Sequence, residues 1–214
     1  MRGSGPSVSK LGIMITTTGM SPEYLALAAE RAVTKCSPHK QPEDFGYDFR
    51  AWVSPYTKGA HTCKGIALVL QDWASADGLA GPPNADIQAH GRTPALLTNV
   101  RLEQLLRRIF GLHLSEVYAT NAFPFVKAGG MSASLRSSEV RSAARRFVVR
   151  ELELAEPKLV LALGAVAHAA LRDCGVPCIR LPHPAARIGG LPNHEAAWRE
   201  ALRSSQLHLR RSDE

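Results

Sequence analysis

Residues 66–73 read IALVLQDW, and this stretch decides the fold. Its first five residues are all apolar, which is typical of a strand that is covered on both faces. Comparable short apolar runs occur at 117–120, 159–163 and 178–181. Segments with helical periodicity lie between these runs, so strands and helices alternate along the chain. The pattern predicts an α/β fold: a three-layer α/β/α sandwich around a four-stranded parallel sheet.

The helices are predicted from apolar residues at helical spacing and from their end signals. We expect them at about 22–34 after the N-cap Ser21, at about 98–110 before Gly111, and at about 139–154, 165–172 and 194–203. Thr98 or Asn99 is the expected N-cap of the second helix. The Gly- and Pro-rich segment between residues 73 and 98 is expected to be a long loop.

Length and composition limit the classes of protein that fit. The chain has 214 residues, of which 45% are hydrophobic and 21% charged, so disorder is excluded as the main state. It lacks the run of about 18 apolar residues that a membrane span requires. We predict a flexible leader or expression scar at 1–10, a single domain at 11–203 and a frayed tail at 204–214.

The four cysteines are Cys36, Cys63, Cys174 and Cys178. They are too few and too scattered for a disulfide scaffold, which favours a reducing compartment and hence a cytoplasmic protein. Cys174 and Cys178 are close enough to share a metal, but no second close pair accompanies them. We therefore expect free thiols and no metal. The net charge of +7 is a weak indication of a polyanionic partner.

Polar residues follow the predicted strands where each one ends. Residues 71–73 (QDW) follow the first strand, Asn121 the second, Gly164 the third, and His183 the fourth. Because the carboxyl ends of parallel strands share one edge of a sheet, an acid, an amide and an imidazole should meet there. A purely structural role also fits each of them: a turn cap for Asp72, an Asx turn for Asn121 and a bond to a nearby carbonyl for His183.

Four segments resemble the uracil-DNA glycosylase superfamily. They are LVLQD at 68–72, YATNAFP at 118–124, PKLVLALGAVA at 157–167 and LPHPAAR at 181–187, in that superfamily's order and spacing. The resemblance covers roughly residues 60–203. It implies a monofunctional DNA glycosylase that hydrolyses the N-glycosidic bond of uracil, or of a related deaminated base, after flipping the base out of single- or double-stranded DNA. The resemblance implies no cofactor, and we expect a monomer without membrane contact.

The resemblance also implies a role for individual residues. Asp72 would activate water and stabilise the sugar cation, and His183 would donate to the departing base. Asn121 would pair with the edge of uracil. The other residues expected to contact the base are Gln71, Trp73, Phe123 and Phe125. Those expected to contact DNA are Gly164, Pro184, Ala185, Arg187, Ile188, Arg136 and Arg141.

This chain also departs from the superfamily's pattern. Leu70 and Trp73 stand where the first motif usually has glycine and proline, and Ala185 stands where the last motif usually has serine. Two alternatives therefore accompany the glycosylase hypothesis. One is a DNA-binding homologue that is catalytically weak or inactive, and the other is a small-molecule hydrolase or nucleotide-binding protein. A lysine Schiff base is not expected, because the few lysines do not cluster near the predicted strand ends.

Overall fold

A computed structural model describes residues 20–58 and 65–212, so the predicted leader at 1–10 lies outside the described residues. A short antiparallel hairpin comes first, made of β1 (Trp52–Ser54) and β2 (Thr57–Lys58). The main sheet contains β3 (Ile66–Ser75), β4 (Tyr118–Lys127), β5 (Leu159–Leu163) and β6 (Ile179–Leu181). Its order is β4-β3-β5-β6 and all its pairs are parallel, which confirms the predicted sheet.

Helices cover both faces of this sheet. They are α1 (Pro22–Val33), α2 (Ala85–His90), α3 (Leu97–Phe110), α4 (Ser137–Ala143), α5 (Val149–Ala155), α6 (Ala165–Asp173) and α7 (Leu191–Ser212). A π-helical segment, Ala144–Val148, joins α4 to α5. None of the helices in the described part of the chain has the length and apolarity needed to cross a bilayer. The predicted three-layer α/β/α fold is confirmed.

The strands β3 and β4 are longer than their apolar runs predict. β3 and β4 stay paired as far as Ser75 and Lys127, whereas β5 pairs with β3 only up to Val69 and Ala162. Pairing between two strands is made by the backbone, so it continues past the point where the side chains stop being uniformly apolar. The result is a two-stranded extension of the sheet at its carboxyl edge.

The segment between β3 and α3 is more regular than the expected loop. It contains a 3-10 turn, Asp77–Leu79, and the helix α2, whose N-cap Asn84 accepts from two backbone N–H groups. Helix α3 ends at Gly111 as predicted, with Gly111 at φ 67°. The predicted N-cap is wrong, because the helix begins one residue after Leu96 and Asn99 lies inside it. The Asn99 amide instead donates to the carbonyl of Thr93 at 2.8 Å.

Alternate residues of β3 face opposite layers of the sandwich. Ala67 and Val69 pack on the side of α1 and α4–α6, while Leu68 and Leu70 pack on the side of α3 and α7. Each layer thus buries one half of the same strand. This double coverage is the physical reason that the apolar run in β3 is continuous.

A buried ion pair connects α1 to α5. Arg31 Nη1 lies 2.7 Å from Glu151 Oε1, and both side chains are almost completely buried. The hydroxyls of Tyr118 and Thr120 on β4 donate to the other oxygen of Glu151. Arg31 also donates to the carbonyl of Val53 in the hairpin. This network fixes β4 at the residue that immediately precedes Asn121.

Candidate active site

A cavity of about 270 Å³ opens at the carboxyl ends of β3 and β4. The ends of β3 and β4, the start of α3 and the loop after β6 all contribute to its wall. Asp72, Lys127 and His183 line it together, although they are far apart in the sequence. As predicted, the shared edge of the sheet brings the carboxylate of Asp72 and the imidazole of His183 into one cavity.

Both carboxylate oxygens of Asp72 have partners. Oδ1 accepts from Nε2 of Gln71 at 2.8 Å, and Oδ2 lies 3.1 Å from Nζ of Lys127. Asp72 and Lys127 are 17% and 6% exposed in their side chains, so this ion pair is partly shielded from water. Lys127 also donates to the carbonyl of Met131 at 2.7 Å. The carboxylate is thus held in one orientation by a neutral and a cationic donor.

Asn121 lies in the middle of β4, fully buried, directly across from Leu70 of the cavity wall. Neither its Oδ1 nor its Nδ2 has a hydrogen-bond partner among the described residues. The Asx-turn alternative is therefore wrong, since the side chain makes no local bond. Leaving a buried polar group without a partner costs about 1–3 kcal/mol, so this amide is arranged at the expense of stability. Asn121 does not itself line the cavity, but Leu70, its partner on β3, does.

The protonation of His183 follows from its contacts. The backbone N–H of Ala185 donates to Nδ1 of His183 at 3.1 Å, so the ring proton resides on Nε2. Burial lowers the pKa of His183, an effect reinforced by His194 and opposed by the carboxylate of Asp72. A neutral imidazole that carries its proton on Nε2 therefore lines the cavity near neutral pH.

The loop after β6 is held by side chains from two helices that bind every second carbonyl of residues 182–186. The bonds are Trp198 Nε1 to Pro182 at 2.9 Å, Arg101 Nη1 to Pro184 at 3.0 Å, and His194 Nε2 to Ala186 at 3.1 Å. Alternate carbonyls point to the helices, and the intervening His183 remains available to the cavity. These three bonds restrict the position of the imidazole.

Comparison with known proteins agrees with this arrangement. Residues 80–203, more than half of the chain, match the family model described as the Uracil DNA glycosylase superfamily. The chain belongs to this superfamily. The predicted resemblance is therefore confirmed. No curated protein sequence matches the chain. Membership indicates DNA as the substrate and glycosylase hydrolysis as the general class of activity.

Part of the predicted DNA-contacting set surrounds His183. Ala185, Arg187 and Ile188 are exposed on the loop after β6, whereas Pro184 is buried. Gly164, at φ 96°, is the N-cap of α6 beside this loop, and a Cβ there would contact the Cβ of His183 at 3.5 Å. The structure thus brings Gly164 and the loop after β6 together at one edge of the sheet.

The two arginines predicted from the segment after β4 lie elsewhere. Arg141 lies 3.4 Å from Asp173, the last residue of α6, and so at the opposite end of that helix from Gly164. Arg136 directly precedes α4. Neither of them lines the cavity. Their assignment to DNA stays a prediction that the geometry of the cavity does not support.

The predicted aromatic residues divide into two groups. Trp73 lines the cavity, and its Nε1 donates to the carbonyl of Gly91 at 2.7 Å. Phe123 and Phe125 are 0% and 2% exposed and pack against each other in the core, with ring centroids 5.4 Å apart. The structure does not bring these two rings to the cavity, because their strand turns them toward the layer of α1 and α4–α6.

Tyr56 and Lys127 are among the residues of the cavity wall that the sequence-based prediction missed. Tyr56, which follows β1, lines the cavity and donates to Oδ1 of Asn99 at 3.2 Å, and burial raises its pKa to about 12. Lys127, the last residue of β4, places a lysine at the strand ends, where the sequence analysis expected no cluster of lysines. The apolar run AFPFV at 122–126 is the signal that would have extended the second strand to this lysine.

The histidine, cysteine and acidic side chains of the described residues do not form a metal site. Among the described residues, no three histidine, cysteine or acidic side chains are placed to hold a metal ion together. Cys36, Cys174 and Cys178 are free thiols, and Cys63 lies outside the described residues.

Proposed function

We propose that this superfamily member is a DNA glycosylase that removes uracil, or a related deaminated base, from DNA. One observation carries the proposal: Asp72 and His183 face a single cavity whose wall adjoins the unpartnered amide of Asn121. A base buried in duplex DNA cannot reach such a cavity, so the target nucleotide must be flipped out of the stack.

Asp72 acts on the sugar side of the scissile bond. Breaking the N-glycosidic bond develops positive charge on the sugar, which a nearby carboxylate stabilises while it orients the attacking water. The bonds from Gln71 and Lys127 hold the carboxylate in place for this task. Preorganised charges of this kind need little rearrangement during the reaction.

His183 acts on the base side. The departing uracil carries negative charge, and the Nε2–H of a neutral imidazole donates a hydrogen bond to it. A preorganised donor at such a position contributes about 2.7–4 kcal/mol to transition-state stabilisation. The bond from Ala185 to Nδ1 supports this role, because it keeps the proton on the nitrogen that remains free.

Asn121 selects the base. Its side-chain amide supplies a donor and an acceptor together, which match O4 and N3–H of uracil. Cytosine presents the reverse pattern, and each buried group left unpaired costs about 1–3 kcal/mol. The absence of a partner for either amide atom among the described residues supports this assignment.

The exposed loop after β6 contacts the DNA. Arg187 can bind a phosphate, and Ile188, which is 39% exposed, can fill the space left by the flipped base. We assign the aromatic wall beside the base to Trp73 and Tyr56, because both line the cavity. Stacking of a base on an aromatic side chain contributes about 1–3 kcal/mol.

The test is release of uracil from single- and double-stranded oligonucleotides. We expect Asp72→Asn to slow release while binding of uracil-containing DNA is nearly unchanged, and Asn121→Asp to weaken discrimination against cytosine. Asp173→Asn, which changes a surface carboxylate paired with Arg141, is the matched control and should retain activity.

The alternatives predict other results. Salt-dependent DNA binding without base release at any pH would establish a DNA-binding homologue without catalysis. One observation favours that alternative: the ammonium of Lys127 lies 3.1 Å from the Asp72 carboxylate and offsets the negative charge that Asp72 would present to a sugar cation. Negligible affinity for DNA would instead indicate a small-molecule enzyme.

A further inference from the structure

Lys127 is a reactive group that the proposed base release does not consume. Among the described residues that line the cavity, it is the only lysine. Its Nζ lies 3.1 Å from Oδ2 of Asp72 and 2.7 Å from the carbonyl oxygen of Met131. The side chain is 6% exposed, so the amine is directed into the site and away from bulk water.

A role in stability alone does not account for this ion pair. Burying two charges removes them from water, and that penalty offsets most of their attraction, so such pairs contribute little net stability. The ammonium also occupies Oδ2 of Asp72, one of the two oxygens that could accept a proton from water. A carboxylate beside an ammonium is better arranged to take a proton from that ammonium, which leaves a neutral, nucleophilic amine.

The product of base release supplies a partner for this amine. Once a base has left, the abasic sugar carries an aldehyde at C1′, in equilibrium with the closed ring. That carbon would lie in the same cavity as Lys127. Primary amines condense with aldehydes to form imines, and buried lysines are the side chains that proteins use for this reaction.

The geometry points to a second activity: Lys127 is the nucleophile of an abasic-site lyase that cleaves the DNA strand at the sugar from which the base has left. This inference rests on the proposed function, because it places the abasic sugar in the same cavity. It needs no oxidant, reductant or metal.

Imine formation begins with a proton transfer within the ion pair of Lys127 and Asp72. Asp72 takes a proton from the Lys127 ammonium, and Nζ attacks C1′. The C1′ oxygen then leaves as water with two protons, one passed from Nζ and one returned by Asp72. The resulting iminium acidifies C2′, whose proton passes to the Asp72 carboxylate. The C3′–O bond then breaks and its electron pair leaves with the phosphate. Water hydrolyses the imine, which frees the Lys127 amine and leaves an unsaturated aldehyde on one fragment and a 5′-phosphate on the other.

The experiment uses duplex DNA with a preformed abasic site, so that base release is not required. The whole protein is incubated with this DNA and sodium borohydride, which reduces an imine to a stable amine. We expect a covalent protein–DNA species, and mass spectrometry of its peptides should locate the bond at Lys127. Without borohydride, the strand should be cut. Lys127→Arg keeps the positive charge but cannot form an imine, and should reduce trapping about tenfold or more.

Lys158→Arg is the matched control, because Lys158 is exposed and does not line the cavity. The Lys158→Arg variant should form as much of the trapped protein–DNA species as the original chain. The inference is overturned if the original chain gives no covalent species, if the bond maps to another amine, or if Lys127→Arg traps equally well. Peptide mapping is made on the original chain, so the test does not depend on the folding of a variant.

Uracil release, measured separately, distinguishes this inference from the proposed function. Release of uracil without any trapped abasic DNA would refute the lyase step and leave the proposed glycosylase intact. Trapping at Lys127 without uracil release would support the lyase step and refute removal of uracil.

Discussion

The backbone N–H of Ala185 binds Nδ1 of His183 at 3.1 Å, and this contact determines which ring nitrogen faces the cavity. A second proton can enter the ring only at Nδ1, so protonation requires loss of the bond to Ala185. The short HPA sequence thus holds the imidazole neutral and oriented by means of its own backbone.

Acidification should destabilise the fold through this residue. Burial lowers the pKa of His183, and likewise that of His194, below the ordinary value of 6.5. The unfolded chain therefore takes up protons before the folded protein does. The free energy of unfolding is at its full value above about pH 6.5 and falls as the pH drops through the lowered pKa values. Urea denaturation at about pH 7.5 and about pH 5.5 measures this loss.

His183→Gln combined with His194→Gln is the informative variant. It removes both titrating groups, so its unfolding free energy should depend less on pH over the same interval. An unchanged pH dependence in this double variant would show that other groups cause the acid sensitivity.

Asn121→Leu should stabilise the protein while abolishing release of the base. The substitution replaces an unpartnered buried amide with an apolar side chain of similar size. Removing its desolvation penalty should raise the free energy of unfolding by about 1–3 kcal/mol. Chemical denaturation and the uracil release assay together measure the two effects.

Asn99→Leu is its matched control. Asn99 is also buried, but its amide binds Thr93 and accepts from Tyr56, so its replacement should lower the free energy of unfolding. If Asn121→Leu destabilises the protein as much as Asn99→Leu, then Asn121 has a structural role and the assignment to base selection fails.

Arg101→Met should impair catalysis more than stability. The variant keeps the length of the side chain but loses the bond to the carbonyl of Pro184 that helps to hold the loop carrying His183. We expect kcat for base release to fall about tenfold, which corresponds to about 1.4 kcal/mol of transition-state stabilisation. Arg107→Met, on an exposed position of the same helix, is the control. Equal losses in both variants would indicate general DNA contact and would exclude a positioning role for Arg101.

Arg187→Ala should change the salt dependence of DNA binding. Arg187 is exposed and forms no ion pair with any described residue, so it is free to bind a phosphate. Loss of one phosphate contact should make the slope of log K against log salt less steep by about 0.9 on duplex DNA. Arg150, which is paired with Glu30 at 2.6 Å, gives the comparison variant Arg150→Ala, whose slope should stay the same. An unaltered slope in Arg187→Ala would remove this residue from the DNA interface.

The order of the strands and the meeting of polar residues could be predicted from the sequence. An apolar run buried on both faces is a local signal, and the carboxyl ends of parallel strands necessarily share an edge. The positions of Asp72 and His183 after two predicted strands were enough to predict that they lie close together. Membership of the superfamily likewise followed from short segments that the sequence displays directly.

Other parts of the site depend on pairing that the sequence does not display. Lys127 reaches the cavity because β4 continues beside β3 for seven residues past the predicted end of its apolar run at Thr120. Tyr56 reaches it because a short hairpin, held by Arg31, packs against β4. Phe123 was predicted at the cavity from its position after Asn121, but the register of β4 directs it into the core.

The central position of β3 has a consequence for shortening the chain. The family match begins at residue 80, after β3 has ended at Ser75, yet this strand bonds both β4 and β5. A polypeptide trimmed to the matched residues would lack β3. The edges of β4 and β5 that bond β3 in the whole sheet would then be unpaired. Open edges of apolar strands recruit other chains, so such a fragment should aggregate and not form a smaller enzyme.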